Sequence, residues 1–189
     1  PIPANPTAGV PIAVQNLAIT ARALPGTVVM NTLIEPNSNE LPWRFCPDVE
    51  HVRAPVDSNG FIDLVAMEEV LAAYNERREH GERRIRLVCV CGASNVMGTY
   101  SDIPTIGRLV RRYGAHLLVD AAQLSAHRAI DMARDNVDFL TFSAHKMYAP
   151  FGSGGLVARR ELLQIDKDDL AFIRQSGVEN AAGIAALGK

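Results

Sequence analysis

Two apolar runs, RIRLVCVC at 84–91 and AHLLVD at 115–120, constrain the fold of this chain more than any other feature. Nearly continuous apolar runs of this kind are typical of strands buried on both faces of a parallel sheet. The segment 103–113 between them repeats apolar residues at helical spacing, which predicts an amphipathic helix. Apolar strands that alternate with such helices predict an α/β, three-layer domain with a mainly parallel sheet.

The other predicted elements continue this alternation. Residues 14–24 and a segment with Leu64, Met67, Leu71 and Tyr74 at helical spacing are predicted helices. Residues 1–13 are expected to form an irregular lead-in, and EPNSNELPW at 35–43 to form a polar loop. Further strands are predicted at 27–34, 48–56, 137–143 and 154–160, with a helical tail at 180–189.

Composition excludes some classes of partner. The formal net charge of −2 and the pI near 6.2 give no footprint for nucleic acid or an anionic membrane. No apolar run approaches the roughly 18–20 residues of a membrane span, and the N-terminus lacks the features of a secretory signal. Cys89 and Cys91 alternate on one strand, so they are interpreted as small core residues in a reducing, cytoplasmic compartment; a metal pair is the less favoured interpretation.

Polar side chains follow the predicted strands at the points where these end. In open α/β sheets, ligands bind beyond the carboxyl ends of the strands. Each of these residues alone is more often a cap, a turn residue or a surface charge. Together they form one set of candidate site residues: Asn95, Asp120, Gln123, Ser143, His145 and Lys146.

This combination matches the requirements of pyridoxal 5'-phosphate. The cofactor needs a lysine amine to form a Schiff base with its aldehyde, which Lys146 can supply. It needs a carboxylate against its ring nitrogen, which Asp120 can supply. Ser143 and His145 can hold a phosphate, and Gln123, together with Asn95, can donate to a phenolic oxygen.

Longer stretches of the sequence resemble a known family. The segments LLVDAAQLSAHRAIDM and VDFLTFSAHKMYAPFGSGGLVARRELL resemble the class V aminotransferase family of fold-type I enzymes, especially its cysteine desulfurase-like branch. SNVMG, EPNSNELPW and SGVENAAGIAALGK are similar to further elements of that branch. The resemblance runs from about residue 14 to residue 189. It implies the central part of a cofactor-binding large domain, with the small C-terminal domain absent.

The resemblance also implies roles for the site residues. Lys146 would be the Schiff-base lysine, Asp120 the partner of the pyridine nitrogen, and Gln123 would face the phenolic oxygen. Ser143 and His145 would hold phosphate. Asn95 would lie near the phenolic oxygen and the substrate carboxylate. It further implies an amino-acid substrate and a homodimer.

The chain departs from the family pattern at several positions. Pro36 stands where family members carry a histidine that stacks on the cofactor ring, and proline offers neither a π-face nor a titratable nitrogen. Thr7, Ala8 and Gly9 are a poor match to the family's phosphate loop, and Val178 replaces a threonine that reaches the partner subunit's phosphate. None of the three cysteines lies where desulfurases carry their sulfur acceptor.

Two functional hypotheses therefore remain open from the sequence. The chain is an enzyme, or a fragment of one, that acts on an amino acid through Lys146 by cysteine desulfurase-like or aminotransferase chemistry. Alternatively, it is a catalytically impaired fragment or paralogue that serves as a binding module. A nicotinamide-binding domain is disfavoured because no G-x-G-x-x-G follows a first strand.

Overall fold

A six-stranded sheet forms the centre of the molecule. The computed structural model describes residues 25–149 and 154–162. The strands lie in the order β2-β1-β3-β4-β5-β6, and all neighbours pair in parallel except β5 and β6, which are antiparallel. Their bounds are β1 Thr27–Thr32, β2 Glu50–Ala54, β3 Arg84–Cys91, β4 His116–Asp120, β5 Phe139–Ser143 and β6 Gly154–Ala158. The prediction of an α/β fold with a mainly parallel sheet is confirmed.

Helices connect the strands and lie on both faces of the sheet. In the described ranges these are α1 Asn37–Arg44, α2 Leu64–Leu71 and α3 Ile103–Arg112. A π-helical turn, Ala72–Glu76, continues α2. Short 3-10 turns follow β4, β5 and β6 at Leu124–Ala126, Ala144–Met147 and Arg160–Leu162. None of these described helices is long and apolar enough to cross a membrane.

Capping residues flank the predicted central helix, α3. The side chain of Asp102 accepts a hydrogen bond from Thr105 N at 3.2 Å and so caps α3. Pro104 occupies the first turn, where its missing N–H is not needed. Gly114 follows the helix with a φ of +69°, a left-handed conformation that glycine adopts without strain.

The prediction of a loop at 35–43 is wrong, because residues 37–44 form helix α1. The two prolines do not prevent it. Pro36 is the N-cap, where its missing N–H is not needed and its carbonyl accepts from Asn39 N at 2.8 Å, and Pro42 lies inside the short helix. Burial of Asn39 and Trp43, four residues apart and both 0% exposed, fixes this segment against the sheet.

Two apolar clusters cover the two faces of the sheet. The larger cluster packs α2 and α3 against one face through residues such as Met67, Leu71, Ile106 and Val110. The other face packs Trp43 against side chains from four strands, which are Val29, Leu87, Cys89, Leu118 and Phe139. The prediction that Cys89 and Cys91 are buried core residues is confirmed.

Other boundaries differ by a few residues from the expected ones. β1 ends at Thr32 rather than at 34, and β2 and β5 are shorter than predicted. The predicted helices at 14–24 and 180–189, the candidate phosphate loop at Thr7, Ala8 and Gly9, and Val178 lie outside the described residues.

Candidate functional site

The carboxyl ends of β3, β4 and β5 bring three polar side chains onto one face of the sheet. Cys91 pairs with Asp120, and Asp120 pairs with Thr141, so the three residues are in register across neighbouring strands. Partners in register point to the same side of a sheet. Cys89, Leu118 and Phe139 lie two residues earlier on the same strands and therefore point to the same side of the sheet. Because these three side chains pack against Trp43, this is the side that Trp43 covers.

Asp120 is a buried carboxylate with one oxygen unpaired. Its residue is 1% exposed. Oδ1 accepts a hydrogen bond from Ala122 N at 2.9 Å, whereas Oδ2 is buried with no hydrogen-bond partner among the described residues. Burial raises the pKa of Asp120, against the hydrogen bond from Ala122 N and the charge of Lys146, which lower it. Such an oxygen is costly to bury, so it is suited to a ligand that brings a donor or a positive charge.

The turn after β5 carries the basic residues of the site. Ser143 is the last residue of β5, and His145 and Lys146 belong to the 3-10 turn that follows. Ser143 Oγ and His145 Nδ1 lie 2.9 Å apart, within hydrogen-bonding distance. Lys146 is close enough for its charge to lower the pKa of both Asp120 and Cys91. The lysine and the two carboxyl-end residues therefore share one electrostatic environment.

Gln123 lies near this turn, and Asn95 is exposed. Gln123 immediately precedes the 3-10 turn Leu124–Ala126, which packs against the turn that carries Lys146. Asn95 is exposed in the loop after β3. That loop is held by hydrogen bonds from Ser94 N to Thr99 O and from Gly98 N to Ser94 O. The cofactor-binding role of both side chains stays a prediction.

Sequence reasoning missed a second buried carboxylate at the same edge of the sheet. Glu35 lies between β1 and α1 and is 9% exposed. It accepts hydrogen bonds from Thr32 Oγ1 at 2.5 Å, Asn39 Nδ2 at 2.6 Å and Cys91 N at 2.9 Å. The pKa of Glu35 is raised from 4.5 to about 7, mainly because the carboxyl is buried. The three hydrogen bonds oppose this rise, and the charge of Asp120 adds to it. The position of Glu35 directly after a strand was the available sequence indication.

Cys91 is also part of this edge. Its thiol donates to Ala93 O at 2.9 Å, and the residue is 4% exposed. Burial and the charges of Glu35 and Asp120 raise the pKa of Cys91 to about 12, although the Ala93 hydrogen bond and Lys146 oppose them. A protonated thiol of this kind is a poor nucleophile.

The sequence model of the aminotransferase class-V family matches residues 5–167 of this chain. The chain belongs to that family. A probable cysteine desulfurase from Borreliella burgdorferi is 32% identical over 126 residues, which are 67% of this chain and 28% of the relative. The resemblance to a cysteine desulfurase-like family of pyridoxal phosphate-dependent enzymes is thereby confirmed.

Solved structures agree on the fold of this class-V chain. The cysteine desulfurase CsdA from Escherichia coli superimposes with a TM-score of 0.71 at 25% identity, over 82% of this chain and 38% of that one. A NifS-like protein from Rickettsia africae gives a TM-score of 0.74 at 24% identity, over 94% of this chain and 47% of that one. The class-V chain thus spans less than half the length of each of these relatives.

Proposed function

We propose that this class-V chain forms the pyridoxal phosphate-binding part of an enzyme that acts on an amino acid, as a cysteine desulfurase or an aminotransferase. The observation that carries this proposal is the buried, unpaired Oδ2 of Asp120 at the carboxyl end of β4, within the electrostatic range of Lys146. The family match and the cysteine desulfurase relatives support the same assignment.

The donor set fits this cofactor at each end. Asp120 Oδ2 accepts no hydrogen bond from the described residues, so it would accept one from the protonated ring nitrogen, and Oδ1 is already held by Ala122 N. Lys146 Nζ is the amine that would hold the cofactor through its aldehyde. Ser143 and His145, already within hydrogen-bonding distance of each other, would hold the phosphate.

When bound, the cofactor supplies an electron sink for the carbanion that forms on an amino acid. The residues of this chain supply the proton transfers and the orientation around it. The anionic form of Asp120 would favour a protonated ring nitrogen. Lys146 would supply the amine that takes a proton from the substrate's α-carbon and returns it.

Spectroscopic titration with pyridoxal 5'-phosphate tests the assignment. We expect the purified chain to give an absorbance band at about 410–430 nm, the region where a protonated Schiff base of a lysine absorbs. Lys146→Ala should remove the band, because no amine remains in the site. Reduction with borohydride followed by peptide mapping should place the cofactor on Lys146.

Two control variants sharpen this test. Asp120→Asn keeps the shape of the side chain but removes its charge, so the band should weaken and the cofactor should bind at least tenfold less tightly. Arg108→Ala changes an exposed helix residue and should leave both unchanged. A band that persists in Lys146→Ala, or mapping to another lysine, would refute the role of Lys146.

A second candidate function is favoured by one position. Pro36 is the N-cap of α1 and stands where the family carries a ring-stacking histidine. Its pyrrolidine ring has no titratable nitrogen, so this position can contact a cofactor but cannot move a proton. The alternative is therefore a chain that binds pyridoxal phosphate without turnover and serves as a binding module.

Turnover assays separate these two functions. The enzyme hypothesis expects sulfide or alanine from L-cysteine, or amino transfer from L-alanine, in the cofactor-loaded protein. The binding-module hypothesis expects cofactor loading with neither product, and partial recovery of turnover in Pro36→His. The control is Pro42→His, which changes the other proline of the same segment.

Assembly and compartment belong to the same proposal. The homodimer rests on the family assignment, in which sites are built across two subunits, and sedimentation of the loaded protein tests it. A cytoplasmic location fits Cys89 and Cys91, which are buried thiols that form no disulfide.

A further inference from the structure

Three separate elements meet at the carboxylate of Glu35. Thr32 is the last residue of β1, Asn39 lies in α1, and Cys91 is the last residue of β3. Oε1 accepts from the Thr32 hydroxyl and from Cys91 N, while Oε2 accepts from Asn39 Nδ2. All three partners are donors, so the ionised form of the carboxylate, which only accepts, satisfies the whole arrangement.

This arrangement continues to Asp120 through two consecutive backbone amides. Glu35 holds the amide of Cys91, and the next amide, Gly92 N, donates to Asp120 O at 2.8 Å. A larger residue at position 92 would crowd Leu124, because a Cβ there would lie 2.7 Å from Leu124 Cδ2. The position of Asp120 at the candidate site therefore depends on a strand end that Glu35 anchors.

The same carboxylate also fixes the helix beside the pocket. Asn39 uses Nδ2 for Glu35 and Oδ1 for Trp43 Nε1, at 3.4 Å, so its amide is held in one orientation. Asn31 Nδ2 donates to Asn39 O at 3.3 Å. Glu35 thereby links the first turn of α1, which begins after Pro36, to the end of the central strand β3.

We propose that Glu35 is a positioning residue for the cofactor pocket, and that its anionic carboxylate sets the spacing between α1, β1 and the strand end that carries Asp120. This proposal rests on the proposed function, since it concerns the same pocket. The ionisable groups that face Glu35 are Asp120 from β4 and the thiols of Cys89 and Cys91 from β3.

Glu35→Gln tests the proposal with an almost identical shape. The introduced amide oxygen can still accept from Thr32 and Cys91, but the introduced NH₂ group faces Asn39 Nδ2, so two donors oppose each other. We expect the dissociation constant for pyridoxal 5'-phosphate to rise about tenfold, the effect of one unsatisfied buried polar contact. Glu40→Gln removes a charge that pairs with Arg44 on the same helix and with Arg53 on β2, and should change the constant less than about twofold.

A charge swap provides the rescue. In Glu35→Gln/Asn39→Asp, the introduced amide NH₂ donates to the introduced carboxylate, which still accepts from Trp43 Nε1. The hydrogen bond between positions 35 and 39 is then reversed, but every donor again faces an acceptor, and cofactor affinity should return to within about threefold of the parent. Failure of the swap to recover affinity, with both variants folded by circular dichroism, would overturn the positioning role.

The pH dependence of stability gives a readout that needs no cofactor. The pKa of Glu35 is raised from 4.5 to about 7, so the folded state binds more protons than the unfolded state between these values. This group therefore makes the free energy of unfolding fall as pH rises from 4.5 to 7. Glu35→Gln should flatten that slope, and Glu40→Gln should keep it.

Outcomes for the two proposals are distinct. Absence of cofactor binding by the parent chain would remove the proposed function, whereas normal binding in Glu35→Gln would remove only this inference. If Glu35→Gln does not fold, Thr32→Val removes one of the three donors at similar shape. It should move the stability slope to higher pH and weaken cofactor binding about threefold; an unchanged slope and affinity would contradict the proposal.

Discussion

The thiol of Cys91 lies between two carboxylates and directly beside the candidate lysine site, yet its environment suppresses its reactivity. Burial, Glu35 and Asp120 raise its pKa to about 12. At pH 8 only about one molecule in 10⁴ then carries a thiolate there. Cys89, fully buried on the same face, is affected in the same direction. Both thiols at this end of the sheet are therefore held mainly in the protonated form, which is a poor nucleophile.

We predict that native protein labels at one cysteine with iodoacetamide at pH 8. Cys46 is half-buried after α1, whereas Cys89 and Cys91 are buried and strongly protonated. Mass spectrometry should show one rapid adduct in native protein and three after denaturation. Cys46→Ser should abolish the rapid adduct. Fast labelling at Cys91 would show that its thiol is more accessible or more acidic than the structure indicates.

The locations of single residues were predictable where strands end. Asp120 and Ser143 are the last residues of β4 and β5, and Lys146 lies in the turn after β5. Their roles in cofactor binding stay predictions. Glu35 was not predicted as a site residue, because its importance comes from three partners 3, 4 and 56 positions away in the sequence. Periodicity and strand ends do not report such a long-range convergence.

At the scale of elements, Asp138 connects β4, β5 and β6 at the end of the sheet opposite the candidate site. Its carboxylate accepts from Leu117 N at 3.0 Å and lies 3.3 Å from His116 Nδ1, both on β4. It also lies 3.1 Å from Arg159 Nε, just after β6, and 3.3 Å from Arg111 Nη2 in α3. Burial alone would raise the pKa of Asp138, but the His116 and Leu117 hydrogen bonds and the cations lower it.

We predict that Asp138→Asn lowers the free energy of unfolding by about 2 kcal/mol at pH 7, because hydrogen bonds to a buried charge are lost. The folded pKa is depressed, so the stabilisation is present above the ordinary value of 3.8 and disappears as pH falls through the folded pKa. Urea unfolding between pH 3 and 7 should therefore show a difference that shrinks in acid.

Asp57→Asn is the matched control for this substitution. Asp57 also accepts from two backbone amides, Asn59 N and Phe61 N, but it is exposed in a turn. An asparagine oxygen serves that turn equally well, so the change should stay below about 0.5 kcal/mol. An Asp138→Asn effect no larger than this would contradict the role of Asp138 as a clamp between strands.

Elements with strong local patterns were predicted well, and α1 was not. β3 and β4 are continuous apolar runs, and α3 has both a capping aspartate and a terminal glycine. α1 contains Pro42 and few apolar residues, so its local pattern favours a loop. Burial of Trp43 and Asn39 against the sheet, a tertiary effect, decides its conformation instead.

At the scale of the whole molecule, Trp43 reports whether the protein is folded. It is the sole tryptophan of the chain and is fully buried. It touches residues of β1, β3, β4 and β5, so it senses whether α1 remains docked on most of the sheet. Its indole N–H donates to Asn39 Oδ1, which connects it to the Glu35 contacts.

We predict that unfolding followed by tryptophan fluorescence coincides with unfolding followed by far-UV circular dichroism, as in a two-state transition. The native emission should be blue-shifted relative to the denatured chain, and it should resist acrylamide quenching. Trp43→Phe should remove the fluorescence transition while the dichroism transition stays cooperative. A fluorescence change at lower denaturant than the dichroism change would mean that α1 undocks separately from the sheet.

The pairing of β5 with β6 has a consequence for Lys146, the proposed Schiff-base lysine. Ser143 pairs with Gly154, so the polypeptide leaves the sheet just before Lys146 and returns beside the residue where it left. Lys146 thus lies in a segment whose two ends, Ser143 and Gly154, are held together by strand pairing. At Gly155 a Cβ would lie 2.7 Å from the Phe142 ring. A methyl group at Gly155 would therefore press on β5 just before the turn that carries Lys146, although Gly155 is not one of the residues proposed to bind the cofactor.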